Sequence, residues 1–137
     1  MNRNDLQQIA RIRLKEAKKL LDNGLYDGAY YLSGYAVECG LKACIAKNTR
    51  RYDFPDKRTV FDSYTHSLEQ LIGVASLRPD LKTEIRTNRD FASNWALVKD
   101  WNESSRYEKH DSKKARAIYY AIVSRRNGVL KWIRKYW

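Results

Sequence analysis

One segment limits the folds open to this chain more than any other. Residues 26–47 have helical periodicity but are apolar or small over most of the helical circumference, which is typical of a helix at the centre of a bundle. Asp27, Tyr31 and Glu38 share the remaining face. Both acids need partners, because an unpaired buried carboxylate is costly. Small side chains form a seam along this helix: Ala29, Ser33, Ala36, Gly40 and Ala43.

The rest of the chain predicts further helices around this one. Three-and-four spacing of apolar residues predicts a helix over residues 4–22, which Asn23-Gly24 ends. A short helix follows residue 67, another runs from residue 80 to 98, and the last continues unbroken from residue 111 or 112 to Lys135. The predicted N-caps are Asn4, Ser67, Asp80 and Asp111. The fold class is therefore all-α, a bundle of four or five helices in one domain over residues 1–137.

Residues 48–66 lack periodicity and are predicted to form a long loop. In this segment Arg50, Arg51, Lys57 and Arg58 alternate with Tyr52, Phe54, Phe61 and Tyr64. Such alternation can stack bases and hold phosphates. Aromatic side chains in a loop more often pin it to the core, and we favour that interpretation.

Composition narrows the class of protein. With 137 residues, of which 43% are hydrophobic, the chain is long enough to bury a core and too apolar for extended disorder. No apolar run approaches the roughly 20 residues of a membrane helix, and the first residues are too polar for a signal peptide. Cys39 and Cys44 are too few for a disulfide framework or a thiolate zinc site. We therefore expect a cytoplasmic domain without a metal or cofactor.

Positive charge concentrates towards the end of the chain. The net charge is +11, from 27 basic and 16 acidic side chains. Residues 101–137 contain ten basic and three acidic side chains and so contribute +7 of it. A basic surface suits an anionic partner, either nucleic acid or an acidic protein, although it also serves solubility.

Phosphate loops, nucleophile elbows and zinc-ligating patterns are absent from the sequence. Two histidines remain, and Arg106 and His110 share a face if their segment is helical. Such a pair can cut RNA without metal, because histidine can move the 2′-hydroxyl proton and arginine can stabilise the charged transition state. The alternative is an exposed histidine beside the capping Asp111. His66 is expected to shape the start of the helix at Ser67.

Two stretches of the sequence are distinctive: LLDNGLYDGAYY over residues 20–31, followed by AVECGLKA over residues 36–43. They resemble the HEPN domain family. His66-Ser67-Leu68 is similar to the family's His-x-Leu opening of a helix, and Arg106-Tyr107 is similar to the arginine-tyrosine ahead of its last long helix. The resemblance covers residues 5–135.

This resemblance implies an antiparallel helical bundle that dimerises, with two clefts near the two-fold axis. It also implies a role in prokaryotic toxin–antitoxin or defence systems, often beside a partner nucleotidyltransferase. Active members are metal-independent endoribonucleases in which four to six residues separate an arginine from a histidine. Carried over, Arg106 and His110 are the catalytic pair and Glu38 is the acid that orients the arginine. Only three residues separate Arg106 from His110 here.

Three functions stay open. The first is a non-catalytic or weakly catalytic module that binds nucleotides, RNA or a partner protein through its basic C-terminal third. The second is a metal-independent endoribonuclease toxin that uses Arg106, His110 and Glu38, and the third is a protein–protein interaction module. We favour the first and expect a homodimer, because residues 26–47 and four tryptophans offer more apolar area than one small bundle hides. The predicted nucleic-acid contacts are Arg50, Arg51, Lys57, Arg58, Lys109, Lys113 and Lys114.

Overall fold

The computed structural model of the protein describes residues 1–49 and 54–137. Within these ranges the chain folds into eight α-helices and one 3₁₀ turn, with no strand, which confirms the all-α class. The helices are α1 (Arg3–Asp22), α2 (Tyr26–Asn48), α3 (Lys57–Asp62), α4 (Leu68–Val74), α5 (Arg78–Thr87), α6 (Arg89–Val98), α7 (Ser112–Val123) and α8 (Val129–Ile133). The 3₁₀ turn spans Glu103–Tyr107.

Helix α1 lies where the apolar spacing places it, but it begins at a different cap. Asn2 caps it and forms a capping box with Asp5, so the prediction of Asn4 as the cap was wrong. The two side chains satisfy each other's backbone N–H groups, which stabilises the first turn. The helix ends as predicted, with Gly24 in the left-handed conformation at a φ of 74°.

Helix α2 is the centre of the bundle, as its apolar circumference predicts. It contacts α1, α4, α7, α8 and the 3₁₀ turn, and the whole small seam is buried. Glycines let two neighbours come close. A Cβ at Gly34 would lie 2.2 Å from the Trp101 ring, and one at Gly40 would lie 3.0 Å from Leu130 in α8.

The segment predicted as a long loop contains a helix. Asp56 caps α3, accepting a hydrogen bond from the Arg58 N–H, and α3 buries no residue. Phe54 is 99% exposed, and Phe61 and Tyr64 are each 76% exposed. The interpretation that the aromatic side chains of this segment pin it to the core was therefore wrong for these three, and Tyr52 lies outside the described residues. The cap of α4 is Ser67, as predicted.

The helix predicted over residues 80–98 is two helices. Helix α5 begins at Arg78, before the predicted Asp80 cap, because Pro79 suits a first turn that has no N–H partner. The chain leaves helical geometry at Asn88, whose side chain then caps α6 by accepting from the Phe91 N–H at 3.1 Å.

The last predicted helix is also divided. Asp111 caps α7 as expected, but α7 ends at Val123 and α8 begins only at Val129. A Cβ at Gly128 would lie 2.4 Å from the Ser124 carbonyl oxygen, so only glycine fits this reversal. The Asn127 carbonyl oxygen accepts a hydrogen bond from the Asn94 amide at 2.9 Å, which ties the break to α6.

All four tryptophans are buried within one chain, at 8% exposure or less. The homodimer was predicted in part because the tryptophans were expected to offer apolar area that one bundle cannot bury, and this reason was wrong. The homodimer itself stays a prediction. Among the described residues, no helix is both long enough and apolar enough to cross a membrane.

Candidate functional site

Arg106 lies on the surface, in the 3₁₀ turn that connects α6 to α7. Its guanidinium carbon is 4.9 Å from the centroid of the Tyr107 ring. The neighbouring Tyr107, and secondarily Tyr31 of α2, raise the pKa of Arg106 above its already high ordinary value. The guanidinium is therefore always charged and accessible to an anion.

His110 lies in the opposite environment. Its side chain has no exposed surface, and its ring stacks on Tyr30 of α2 with the centroids 3.8 Å apart. The Nε2 atom lies 3.2 Å from the Ser105 carbonyl oxygen, and the His110 backbone N–H donates to Asp27. The alternative of an exposed histidine was therefore wrong, because Tyr30 and the 3₁₀ turn enclose the ring.

Arg106 and His110 do not share a helical face. Arg106 belongs to the 3₁₀ turn, Glu108 is extended, and α7 begins only at Ser112. The turn directs the guanidinium outwards and the imidazole inwards. The condition for a shared face, a helical segment, is therefore not met, and the two side chains are not presented together at the surface.

Glu38 is buried on α2 with 3% of its side chain exposed. Its Oε1 accepts from Lys42 Nζ at 2.9 Å and lies 2.9 Å from His66 Nδ1. Its partners among the described residues are these two side chains rather than Arg106, so the expected orienting contact to Arg106 is not formed. The prediction that an acid on the central helix would be partnered is confirmed.

His66 connects three elements, a role that spacing along the chain did not reveal. While Nδ1 faces Glu38, Nε2 lies 3.0 Å from Glu103 Oε2 in the 3₁₀ turn. The imidazole thus links α2, the start of α4 and the turn that contains Arg106. Its prediction as a residue that shapes the start of α4 missed this link, because both acids are distant in sequence. Within the described ranges, no cluster of three or more ligating side chains could hold a metal ion.

The predicted nucleic-acid contacts lie in two exposed regions. Lys57 and Arg58 are exposed on α3, where Arg58 Nε is 3.7 Å from Asp62. Lys109, Lys113 and Lys114 are exposed at the start of α7. The other two predicted contacts, Arg50 and Arg51, lie outside the described residues.

A cavity of about 630 Å³ adjoins α3. Arg58 and Arg78 line it, together with the exposed rings of Phe61 and Tyr64. We call these four residues the aromatic–arginine surface. Gly73 lets Arg78 fold across α4, since a Cβ there would lie 2.5 Å from the guanidinium. Sequence analysis pointed to Arg58 but not to Arg78, which only the packing of α5 brings to the cavity.

The all-α bundle agrees with the family resemblance, and comparison with a family model shows the family to which the chain belongs. The model described as HEPN domain matches residues 4–136. The chain belongs to the HEPN domain family. No curated protein and no solved structure matches it significantly. Membership of this HEPN family supports a nucleotide- or RNA-related module in general.

Proposed function

We propose that this HEPN domain is a non-catalytic module that binds nucleotides or single-stranded RNA at the aromatic–arginine surface. The observation that carries the proposal is the exposure of Phe61 and Tyr64, each 76%, beside two arginines around one cavity. Neither ring is buried in the core, so both are available to a ligand. Exposed rings stack bases, and neighbouring guanidinium groups hold the phosphates between them.

The burial of His110 favours binding over cleavage. A general acid or base has to reach the proton that it transfers, within hydrogen-bond distance or through one water. The His110 ring has no exposed surface, and its Nε2 faces the Ser105 carbonyl oxygen. Arg106 alone is left at the surface, where it supplies charge for anion binding.

Binding is tested by the anisotropy of a fluorescently labelled short oligouridine. Phe61→Ala/Tyr64→Ala is expected to raise Kd about tenfold or more, because stacking contributes about 1–3 kcal/mol per base. The matched control is Leu97→Ala/Tyr120→Ala, which removes two side chains that are each 50% exposed on α6 and α7. Equal effects of the two double variants, or no binding by the unaltered protein, would overturn the proposal.

Cleavage is tested by incubating a mixed single-stranded RNA pool with the protein in a chelator. We expect intact RNA from the unaltered protein. Cleavage that is lost in Arg106→Ala and in His110→Ala would instead establish the metal-independent ribonuclease. Arg106 is exposed, so its variant reports on chemistry without disturbing the core.

The cellular setting of this binding follows only from the family resemblance. On that ground we place the domain in a prokaryotic toxin–antitoxin or defence system, acting as a homodimer beside a nucleotidyltransferase partner. A tag-free protein that elutes as a stable monomer at micromolar concentration in light scattering would contradict the dimer.

A further inference from the structure

A second cavity lies between α1, the end of α7, and α8 with the segment that follows it. Its volume is about 660 Å³, and its lining contains four cationic side chains and no acidic one. The cationic residues are Arg125, Lys131, Arg134 and Lys135. None of them belongs to the contacts predicted from the sequence or to the aromatic–arginine surface.

None of these cations forms an ion pair within the described part of the chain, and Lys131 and Lys135 also line a neighbouring cavity together with Glu84. All four are exposed, and among the described residues none has a carboxylate oxygen within 4.0 Å. Four like charges around one cavity repel each other, which disfavours the folded state unless an anion compensates. The positive potential of the cavity is therefore available to a ligand.

The break before α8 creates this arrangement. After the reversal at Gly128, Leu130 and Ile133 pack against Gly40 of α2. The residues that directly follow these two, Lys131 and Arg134, are exposed to solvent as a result. A continuous helix through residues 111–135 would not carry Lys131 back beside α1.

The floor of the cavity is apolar, formed by Leu14, Ile122, Leu130 and Trp137. Arg134 and Arg11 lie 5.7 Å and 5.0 Å from the centroid of the Trp137 ring, so they hold the ring in place. Apolar walls beside charges of one sign focus the field on a bound anion. The site thus combines a low-dielectric floor with a cationic rim.

We propose that this cavity is a phosphate-binding site, separate from the aromatic–arginine surface. It holds the phosphate groups of a nucleotide or of an RNA strand. The inference rests on the proposed function, because it takes the same class of ligand. It assigns sequence-independent phosphate contacts to Lys131, Lys135, Arg134 and Arg125. The volume lies within the range of roughly 300–1,000 Å³ that is usual for small-molecule sites.

The test compares K131Q/K135Q with K15Q/K19Q in the oligouridine titration at several salt concentrations. Both variants remove two exposed lysines four residues apart, and neither pair has a carboxylate partner among the described residues. Loss of two phosphate contacts should lower the salt slope by about 1.4 for a single strand. Over a fourfold rise in salt, the affinity of the unaltered protein should then fall about sevenfold more than that of K131Q/K135Q.

K15Q/K19Q should keep the slope of the unaltered protein, and Arg125→Gln should lower it by about half as much as the double variant. Equal slopes in the two double variants would overturn this inference and leave the proposed function standing. Absence of any binding by the unaltered protein would overturn both.

Competition identifies the source of the phosphate. Displacement of the oligouridine by ATP that depends on Lys131 and Lys135 assigns the site to free nucleotides, whereas displacement by RNA alone assigns it to a strand. A labelled oligoglutamate that binds with the same dependence on the two lysines would overturn the assignment to a nucleotide and point to an acidic protein.

Discussion

At the scale of single residues, Glu38 shows how a carboxyl group on the central helix is partnered inside the bundle. Its Oε1 lies 2.9 Å from both Lys42 Nζ and His66 Nδ1, and only 3% of the side chain is exposed. Its Oε2 is buried and has no hydrogen-bond partner among the residues that the structure describes. Lys42 and His66 therefore offset the loss of hydration at one carboxyl oxygen, and removal of Glu38 leaves both side chains without this partner.

Glu38→Ala is expected to lower the free energy of unfolding by about 1–3 kcal/mol, because it leaves Lys42 and His66 without their shared acceptor. Glu103→Ala is the control, since Glu103 contacts the same histidine but is 48% exposed and should contribute less than about 1 kcal/mol. Urea denaturation of both variants measures the difference. Equal losses would show that burial of Glu38 does not matter to stability.

At the scale of elements, two helix breaks are joined to each other. The Asn88 amide nitrogen donates to the Asn127 side-chain oxygen at 2.9 Å, and the Asn88 oxygen caps α6. One side chain therefore serves the break between α5 and α6 and the break between α7 and α8. The two breaks fix where α8 packs, and with it the cavity that Lys131 lines.

Gly128→Ala is expected to destabilise the protein by about 1–3 kcal/mol, as overpacking does. The added Cβ would press on the backbone of Ser124 and Ile122, which cannot rotate away. Gly28→Ala is the matched control, because its Cβ would meet only the flexible end of Leu20 at 3.0 Å. Thermal melts should show a lower Tm for the first variant and an unchanged or higher Tm for the second. The reverse order would contradict the close approach at Gly128.

At the scale of the whole molecule, burial inside the bundle raises the pKa values of the two thiols. It raises the pKa of Cys39 to about 11, with Glu38 adding to the effect, and raises the pKa of Cys44 to about 12. The ordinary value for both is 9.0. At a pH between the ordinary pKa and the raised pKa of a thiol, the unfolded chain loses a thiol proton that the folded chain keeps. The folded state is therefore favoured less as the pH rises.

The free energy of unfolding should therefore be constant with respect to these thiols below pH of about 9 and should decline above it, by up to about 1.4 kcal/mol per pH unit for each thiol. Urea denaturation across this pH range measures the decline. Cys39→Ala/Cys44→Ala should decline less steeply than the unaltered protein. Identical slopes would show that the thiols do not titrate differently in the two states.

The sequence by itself determined the family, the all-α class, the central position of α2 and the starts of α2, α4 and α7. These features depend on residues close together in the chain, such as the Ser67 cap, the Asp111 cap and the spacing of apolar side chains. The need of Glu38 for a partner also followed from its place on an apolar helix. Lys42 was the partner within reach, since it lies one turn away on the same helix.

Only the tertiary structure decided which groups meet across the bundle. His66 reaches Glu38 and Glu103 because α4 and the 3₁₀ turn both pack against α2, and no local pattern encodes that meeting. Enclosure of His110 by Tyr30 likewise separates it from Arg106 despite their closeness in sequence. Local spacing fixes the direction of a side chain only within one regular helix. Where the chain breaks, packing between elements distant in sequence sets that direction instead.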